Sequence, residues 1–132
     1  MTRDTIRDFL AGDTFAVVGA STDREKYGNK VLRSYLQNDL RAIPVHPREA
    51  EIEGLTAYPD LSSLPETPHG VSIITPPPVT EAVVEEAIRL GIQHVWMQPG
   101  AESPAAVERA REAGLSVIAG GPCLLVAIGF RE

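Results

Sequence analysis

The stretch VSIITPPPVTEAVVEEAIRLGIQHVWM, residues 71–97, decides the fold. It begins with a short apolar run, Val71-Ser-Ile-Ile, and breaks at Thr75-Pro76-Pro77-Pro78. It continues as Val79, Val83, Ala87 and Leu90 at helical spacing, stops at Gly91 and returns to an apolar run at His94-Val-Trp-Met. Strand, helix and strand in so short a span make a crossover unit. Strands this continuous in apolar character predict a parallel sheet buried on both faces.

The pattern repeats on either side. Further strand-like runs lie at Phe15-Ala-Val-Val, Ala42-Ile-Pro-Val and Leu115-Ser-Val-Ile. A helix is predicted through Val31, Leu32, Tyr35 and Leu36, with Asn29 as its N-cap. Another starts at the N-cap Ser103 with Pro104 in its first position and runs through Val107, Ala110 and Ala113 to Gly114. Residues 2–11 read as a lead-in helix. Residues 48–70 read as irregular, with at most a short edge strand from Leu55 to Tyr58. The expected fold class is α/β: a doubly wound, Rossmann-like parallel sheet of five to six strands in a three-layer α/β/α arrangement, residues 1–132 forming one domain. At 132 residues the chain is too short for an eight-fold barrel, which needs about 250. With the edge strand counted third, the expected order is 3-2-1-4-5-6. The sheet then reverses between the strands ending at Gly19 and Ile74, and ligands of open α/β sheets bind outside such a reversal.

Composition narrows the function. The formal charge of −6 argues against broad binding to nucleic acid or to an anionic membrane surface. No apolar run approaches the roughly 18 residues that span a bilayer. The single cysteine, Cys123, excludes a domain stapled by internal disulfides. The expected location is the cytoplasm. Yet residues 24–48 hold Arg24, Lys26, Lys30, Arg33, Arg41 and Arg48 against Glu25 and Asp39, a local charge of +4. Lys30, Arg33 and Arg41 are expected to solvate the outer face of their helix, leaving Arg24, Lys26 and Arg48 on strand-end loops to meet a small polyanion.

Turn residues collect at the same edge. The central strands run out into Gly19-Ala20-Ser21-Thr22, Val45-His46-Pro47-Arg48, Thr75-Pro76-Pro77-Pro78 and Gln98-Pro99-Gly100. Gly19 fits the first glycine of G-x-G-x-x-G, but Ser21 and Arg24 occupy the other two positions and the next glycine is Gly28, so the dinucleotide fingerprint fails. What stays is a strand, a Gly-Ala-Ser loop and a helix N-terminus, whose free N–H groups favour an anion. An NAD site would carry a carboxylate at the second strand tip to hold the ribose. The tip here is His46-Pro47-Arg48, which suits a phosphorylated ribose and leaves NADP and coenzyme A (CoA) as candidates.

The run from Val71 to Ile88 resembles, without gaps, the matching segment of the CoA-binding domain of the succinyl-CoA synthetase α subunit, and Gly120-Gly-Pro-Cys123 resembles that domain's last turn. The chain is more similar still to small stand-alone CoA-binding proteins, through Val18-Gly-Ala-Ser21, His46-Pro47 and Val95-Trp-Met-Gln-Pro-Gly100. It differs from the synthetase in lacking the glycine-rich signature, and from the stand-alone proteins in His46 and in Gly121-Pro122 before Cys123. The resemblance implies CoA or acyl-CoA along the sheet edge. Its phosphates would lie near Gly19, Ala20, Ser21, Arg24, Lys26, Tyr27, Gly28 and Asn29 and the tip His46, Pro47 and Arg48, its adenine against Thr75, Pro76, Pro77 and Val79, with Gln98 and Gly100 on the same edge. It also implies binding without catalysis, in a sensing, buffering or regulatory role, because the synthetase's phosphorylated histidine belongs to a second domain. The alternative is an NADP-binding redox or regulatory domain.

His69 reads as a loop residue, His94 as structural and His46 as a possible contact for phosphate or adenine; no metal-type spacing occurs. Trp96 reads as core. Cys123 either packs as an inert thiol or approaches the thiol of the CoA arm. The apolar segment Leu124–Phe130 is either a packed final element or a contact for a second copy or another protein.

Overall fold

The computed structural model describes residues 2–132, with side chains from Asp4 onward. Helix α1 (Thr2–Leu10) leads into β1 (Thr14–Val18), followed by α2 (Tyr27–Gln37), β2 (Arg41–Val45), a small hairpin of β3 (Glu51–Ile52) and β4 (Leu55–Thr56), and a 3₁₀ turn at Leu61–Ser63. Then come β5 (Gly70–Ile73), α3 (Pro77–Leu90), β6 (His94–Met97), α4 (Pro104–Glu112), β7 (Ser116–Ile118) and α5 (Leu124–Ile128). The five main strands are all parallel, in the order β2-β1-β5-β6-β7. The chain reverses direction across the sheet between β1 and β5, as the sequence predicts.

Alternation of side chains across the sheet gives two cores. On one face Val71, Ile73, Val95 and Met97 meet Val83, Val84 and Ala87 of α3 and Ala106 and Ala110 of α4. On the other, Phe15, Val17 and Trp96 meet Phe9 of α1, Val31, Leu32 and Tyr35 of α2, and Leu124 of α5. Trp96 is fully buried, and its Nε1 donates to the Pro122 carbonyl at 3.0 Å. Phe9, Phe15 and Tyr35 form a stacked column, with centroids 5.4 and 5.0 Å apart.

Ser103 caps α4 as expected, its Oγ accepting from the Ala106 N–H at 3.2 Å. Two local expectations are corrected. The edge strand at Leu55–Tyr58 does not join the main sheet as a strand. Leu55–Thr56 folds back on Glu51–Ile52, and the pairing with β2 is a single parallel bridge from Tyr58 to Val45. Pro59 follows at once and has no N–H with which to continue a ladder. Helix α2 also starts earlier than predicted, at Tyr27 with Lys26 as N-cap. Asn29 lies inside the first turn, fully buried, and its Nδ2 donates to the Ser21 carbonyl at 2.8 Å.

After α5 the chain lies along α2. The Gly129 carbonyl accepts from Ser34 Oγ at 3.1 Å and Asn38 Nδ2 at 3.0 Å, and Gln37 exchanges two hydrogen bonds with the backbone of Arg131. The apolar tail thus packs as a final element. Leu124 is buried, while Val126 stays exposed.

Candidate functional site: the carboxyl edge of the sheet

Where β1 and β5 part, their loops diverge and leave a groove of about 420 Å³. Gly19, Pro47, Thr75 and Val79, four of the predicted residues, line it together with Val18 and Val45. Gly19 has φ +97°, and a Cβ there would be driven into the Ile74 carbonyl. Only glycine lets β1 leave the sheet this close to β5. A Cβ on Gly28 would meet the Gly19 carbonyl, so Gly28 lets α2 rest directly on the loop. Thr75 is held by Thr80, their hydroxyls 2.7 Å apart, and Val79 sits half exposed at the groove's lip.

The far wall was not predicted. Pro59 and Asp60, together with Ala82, Val83, Glu86 and Arg89 of α3, complete the lining. Glu86 accepts from the Leu61 and Ser62 N–H groups, both at 3.2 Å, and from Ser62 Oγ at 2.8 Å, which ties the 3₁₀ turn to the helix. The signal was present. Val79, Ala82, Val83 and Glu86 share one helical face, readable by continuing the i, i+3, i+4, i+7 pattern from Val79.

The cations divide into two groups. Arg33, expected on the outer face of α2, is buried: its Nε donates to Asn29 Oδ1 at 2.7 Å, its Nη2 donates to the Arg24 carbonyl at 2.9 Å, and its guanidinium lies 5.1 Å from the centre of the Phe130 ring. It braces the loop from behind. Arg24 pairs with Glu53 at 3.5 Å, Lys30 with Glu132 at 2.9 Å and Arg41 with Glu66 at 2.7 Å. Hydrogen bonds from Thr14 and Arg41 hold the Glu66 carboxyl below its ordinary range, and Lys30 does the same for Glu132. Lys26 and Arg48 form no ion pair among the described residues, so they are the cations with charge to spare at the loop and the strand tip.

The remaining predicted residues shape this edge. Ser21 Oγ accepts from the Asp23 N–H at 3.0 Å, and Ala20 is buried beneath the loop. His46 Nδ1 accepts from the Arg48 and Glu49 N–H groups at 3.0 and 3.1 Å, and so folds the tip that presents Arg48. Pro76 caps α3, and Pro77 occupies its first turn. Beyond β6, Gly100 turns with φ +93° and its N–H donates to Glu102 Oε1 at 2.8 Å. Gln98 is fully buried. Its Oε1 accepts from the Tyr27 hydroxyl at 2.9 Å and the Leu124 N–H at 3.1 Å, and its Nε2 has no acceptor among the described residues. Cys123 Sγ lies 2.7 Å from the same Tyr27 hydroxyl, whose ionisation is pushed well up, first by burial and then by the cysteine. Among the described residues no cluster of three or more His, Cys, Asp or Glu side chains is arranged to hold a metal, and no helix is long and apolar enough to cross a membrane.

Residues 13–129 match the family model described as CoA binding domain. The chain belongs to the CoA-binding domain family. The acetate–CoA ligase (ADP-forming) I of Archaeoglobus fulgidus is 27% identical over 96 residues, which cover 73% of this chain and 14% of that protein. The chain therefore spans about one seventh of that relative's length. Among solved structures of this fold, a protein of Pyrococcus horikoshii OT3 superposes with a TM-score of 0.89 at 29% identity, over 96% of this chain and 88% of its own. A conserved protein of Pyrococcus furiosus superposes with a TM-score of 0.82 at 36% identity, over 86% and 97%.

Proposed function

We propose that the chain binds coenzyme A at the carboxyl edge of its sheet, in the cytoplasm, without catalysing a reaction, and serves to sense, buffer or deliver CoA or acyl-CoA. The observation that carries this reading is the groove at the β1–β5 reversal, flanked by the uncommitted cations Lys26 and Arg48, in a member of the CoA-binding domain family. The adenine lies between Pro47, Thr75 and Val79. The diphosphate faces the Gly19–Lys26 loop and the N-terminal end of α2, where the helix dipole favours negative charge. The ribose 3′-phosphate meets Arg48.

Titration calorimetry with CoA, dephospho-CoA, NADP and NAD tests this. CoA should bind more tightly than dephospho-CoA by about tenfold, the worth of one charge-assisted contact at roughly 1.5 kcal/mol. Arg48→Ala should erase that difference. Equal weakening of both ligands would remove Arg48 from the phosphate site. Stronger binding of NADP than of CoA would turn the reading to the NADP-binding redox or regulatory domain, which the cationic tip without a carboxylate also suits.

A further inference from the structure

The two outermost strands of the sheet, β2 and β7, are treated differently. On the β2 flank Pro44 faces outward with no N–H to offer, and its carbonyl accepts from the Tyr58 N–H at 3.1 Å, so the segment after the hairpin covers that side. The β7 flank has no such cover. Ser116 donates its N–H to the Gln93 carbonyl at 2.8 Å and so addresses β6, which turns the N–H and C=O of Val117 away from the sheet. Among the described residues no strand lies beyond β7, and no backbone group bonds to Val117 from that side. Along this flank runs a groove of about 610 Å³, with Pro104, Val107 and Ala119 as its apolar part and Glu108, Arg111 and Glu112 of α4 as its charged wall. On the opposite face of α4, Arg109 is paired with Glu85 of α3 at 2.8 Å. Glu108, Arg111 and Glu112 are exposed and form no ion pair among the described residues.

We propose that this flank is the contact between two copies of the chain, related by a two-fold axis, with β7 pairing antiparallel to β7 of the second copy. The axis falls at Val117. Each Val117 exchanges both N–H···O=C bonds with its counterpart, as the hydrogen-bonded pair of an antiparallel ladder does, and the two sheets join into one. The α4 helices then run antiparallel on either side of the seam and close the groove. A two-fold contact must match itself, since whatever one copy presents the other presents in reverse. Helix α4 meets that condition: Glu108 and Arg111 stand about 4.5 Å apart along the helix axis, on the open face, so Arg111 of each copy faces Glu108 of the other. A wholly basic or wholly acidic segment of another protein would answer one of these charges and oppose the other. The contact is independent of the CoA reading, because β5 and β6 stand between β7 and the reversal at β1.

Sedimentation velocity of the full chain over a concentration series, together with amide hydrogen exchange, tests the proposal. The mass should double as concentration rises, added salt should weaken the pairing, and the Val117 amide should exchange slowly in the dimer. Glu108→Arg and Arg111→Glu should each raise the dissociation constant by about tenfold or more, through two ion pairs turned into like-charge contacts. Combining the two reversals should restore dimerisation, which damage to the fold would not do. Val117→Pro, which removes the outward N–H as Pro44 does on the other flank, should give a monomer with the circular dichroism of the parent chain. A chain that stays monomeric up to its solubility limit would overturn the proposal and leave the flank to a different partner. A dimer that survives both single reversals but is lost in Val126→Glu would move the contact to the exposed side of α5, and overturn it too. So would a combined variant that pairs no better than the single ones, or a Val117 amide that exchanges equally fast in monomer and dimer.

Discussion

The two ends of the same sheet are built from the same residue types to opposite effect. At the carboxyl edge, Gly19 and Gly28 approach backbone carbonyls, prolines front the loops, and Lys26 and Arg48, without ion pairs among the described residues, stand around an open groove. At the amino edge, Gly12 and Gly70 approach rings: a Cβ on Gly12 would strike the His69 imidazole, and one on Gly70 the Phe9 ring. There the rings of His69 and His94 stack 4.3 Å apart, Phe9 meets His94 edge-on, and His69 Nε2 reaches the Asp8 carbonyl of α1 at 2.9 Å. One edge uses glycine to bring backbone against backbone and leave room outside. The other uses it to seat side chains and fill the room. Stability should therefore concentrate at the amino edge and affinity at the carboxyl edge.

The strongest way to break that division is Phe9→Ala. It empties a fully buried ring site and should cost about 3–5 kcal/mol in urea unfolding, while the affinity for CoA of the folded fraction stays within about twofold. A large loss of affinity would show the two edges to be coupled. Next comes Gly19→Ala, the exception that sharpens the comparison. Its clash is with a carbonyl that cannot rotate away, so about 3 kcal/mol of stability should be lost together with binding. Gly12→Ala, which has no positive φ to strain but whose Cβ would meet the root of the His69 side chain, should cost nearly as much. By contrast, Lys26→Ala should weaken CoA severalfold and leave unfolding within about 0.5 kcal/mol, because the side chain is exposed and unpaired.

The smallest effect is on pH. Burial, and then the neighbouring His69, lowers the basicity of His94, opposed by Asp8. The folded state thus prefers the neutral ring more than the unfolded chain does. Its contribution is complete above the unfolded value of about 6.5 and is lost as pH falls from there toward the lower folded value. The urea midpoint should drop on going from pH 7.5 to pH 5 and drop less in His94→Gln. A midpoint just as sensitive in the variant would assign the acid sensitivity elsewhere.

Much of this was legible in the sequence where the signal is local. The apolar runs place all five strands, the Val79 stripe gives α3, and Ser103-Pro104 starts α4 because capping is a matter of adjacent residues. What was not legible depends on residues far apart. Asn29 has the chemistry of a cap, but Gly28 resting on the Gly19 carbonyl pulls the helix start back past it. Arg33 occupies a position that solvent would normally claim, and no nearby residue announces that Phe130 will cover it. The hairpin at Glu51–Thr56 lies in a stretch with too few apolar residues to show a period. The loops of the candidate site stood out through their glycines and prolines, whereas its far wall depends on how residues 59–62 meet α3.

The register of the sheet also bears on the order in which these parts can form. Every ladder of the main sheet is parallel and is closed by a crossover rather than a tight turn: the shortest loop closed runs from His94 to Ser116, and the longest from Phe15 to Gly70. Closure entropy grows only logarithmically with length, so the longest is disfavoured over the shortest by just about 0.8 kcal/mol. That longest ladder, β1 with β5, is the one whose parting loops form the groove. A ligand held there acts on the pairing that spans the greatest contour of chain, and its binding energy is returned as stability of the whole unit, by RT ln(1 + [L]/Kd).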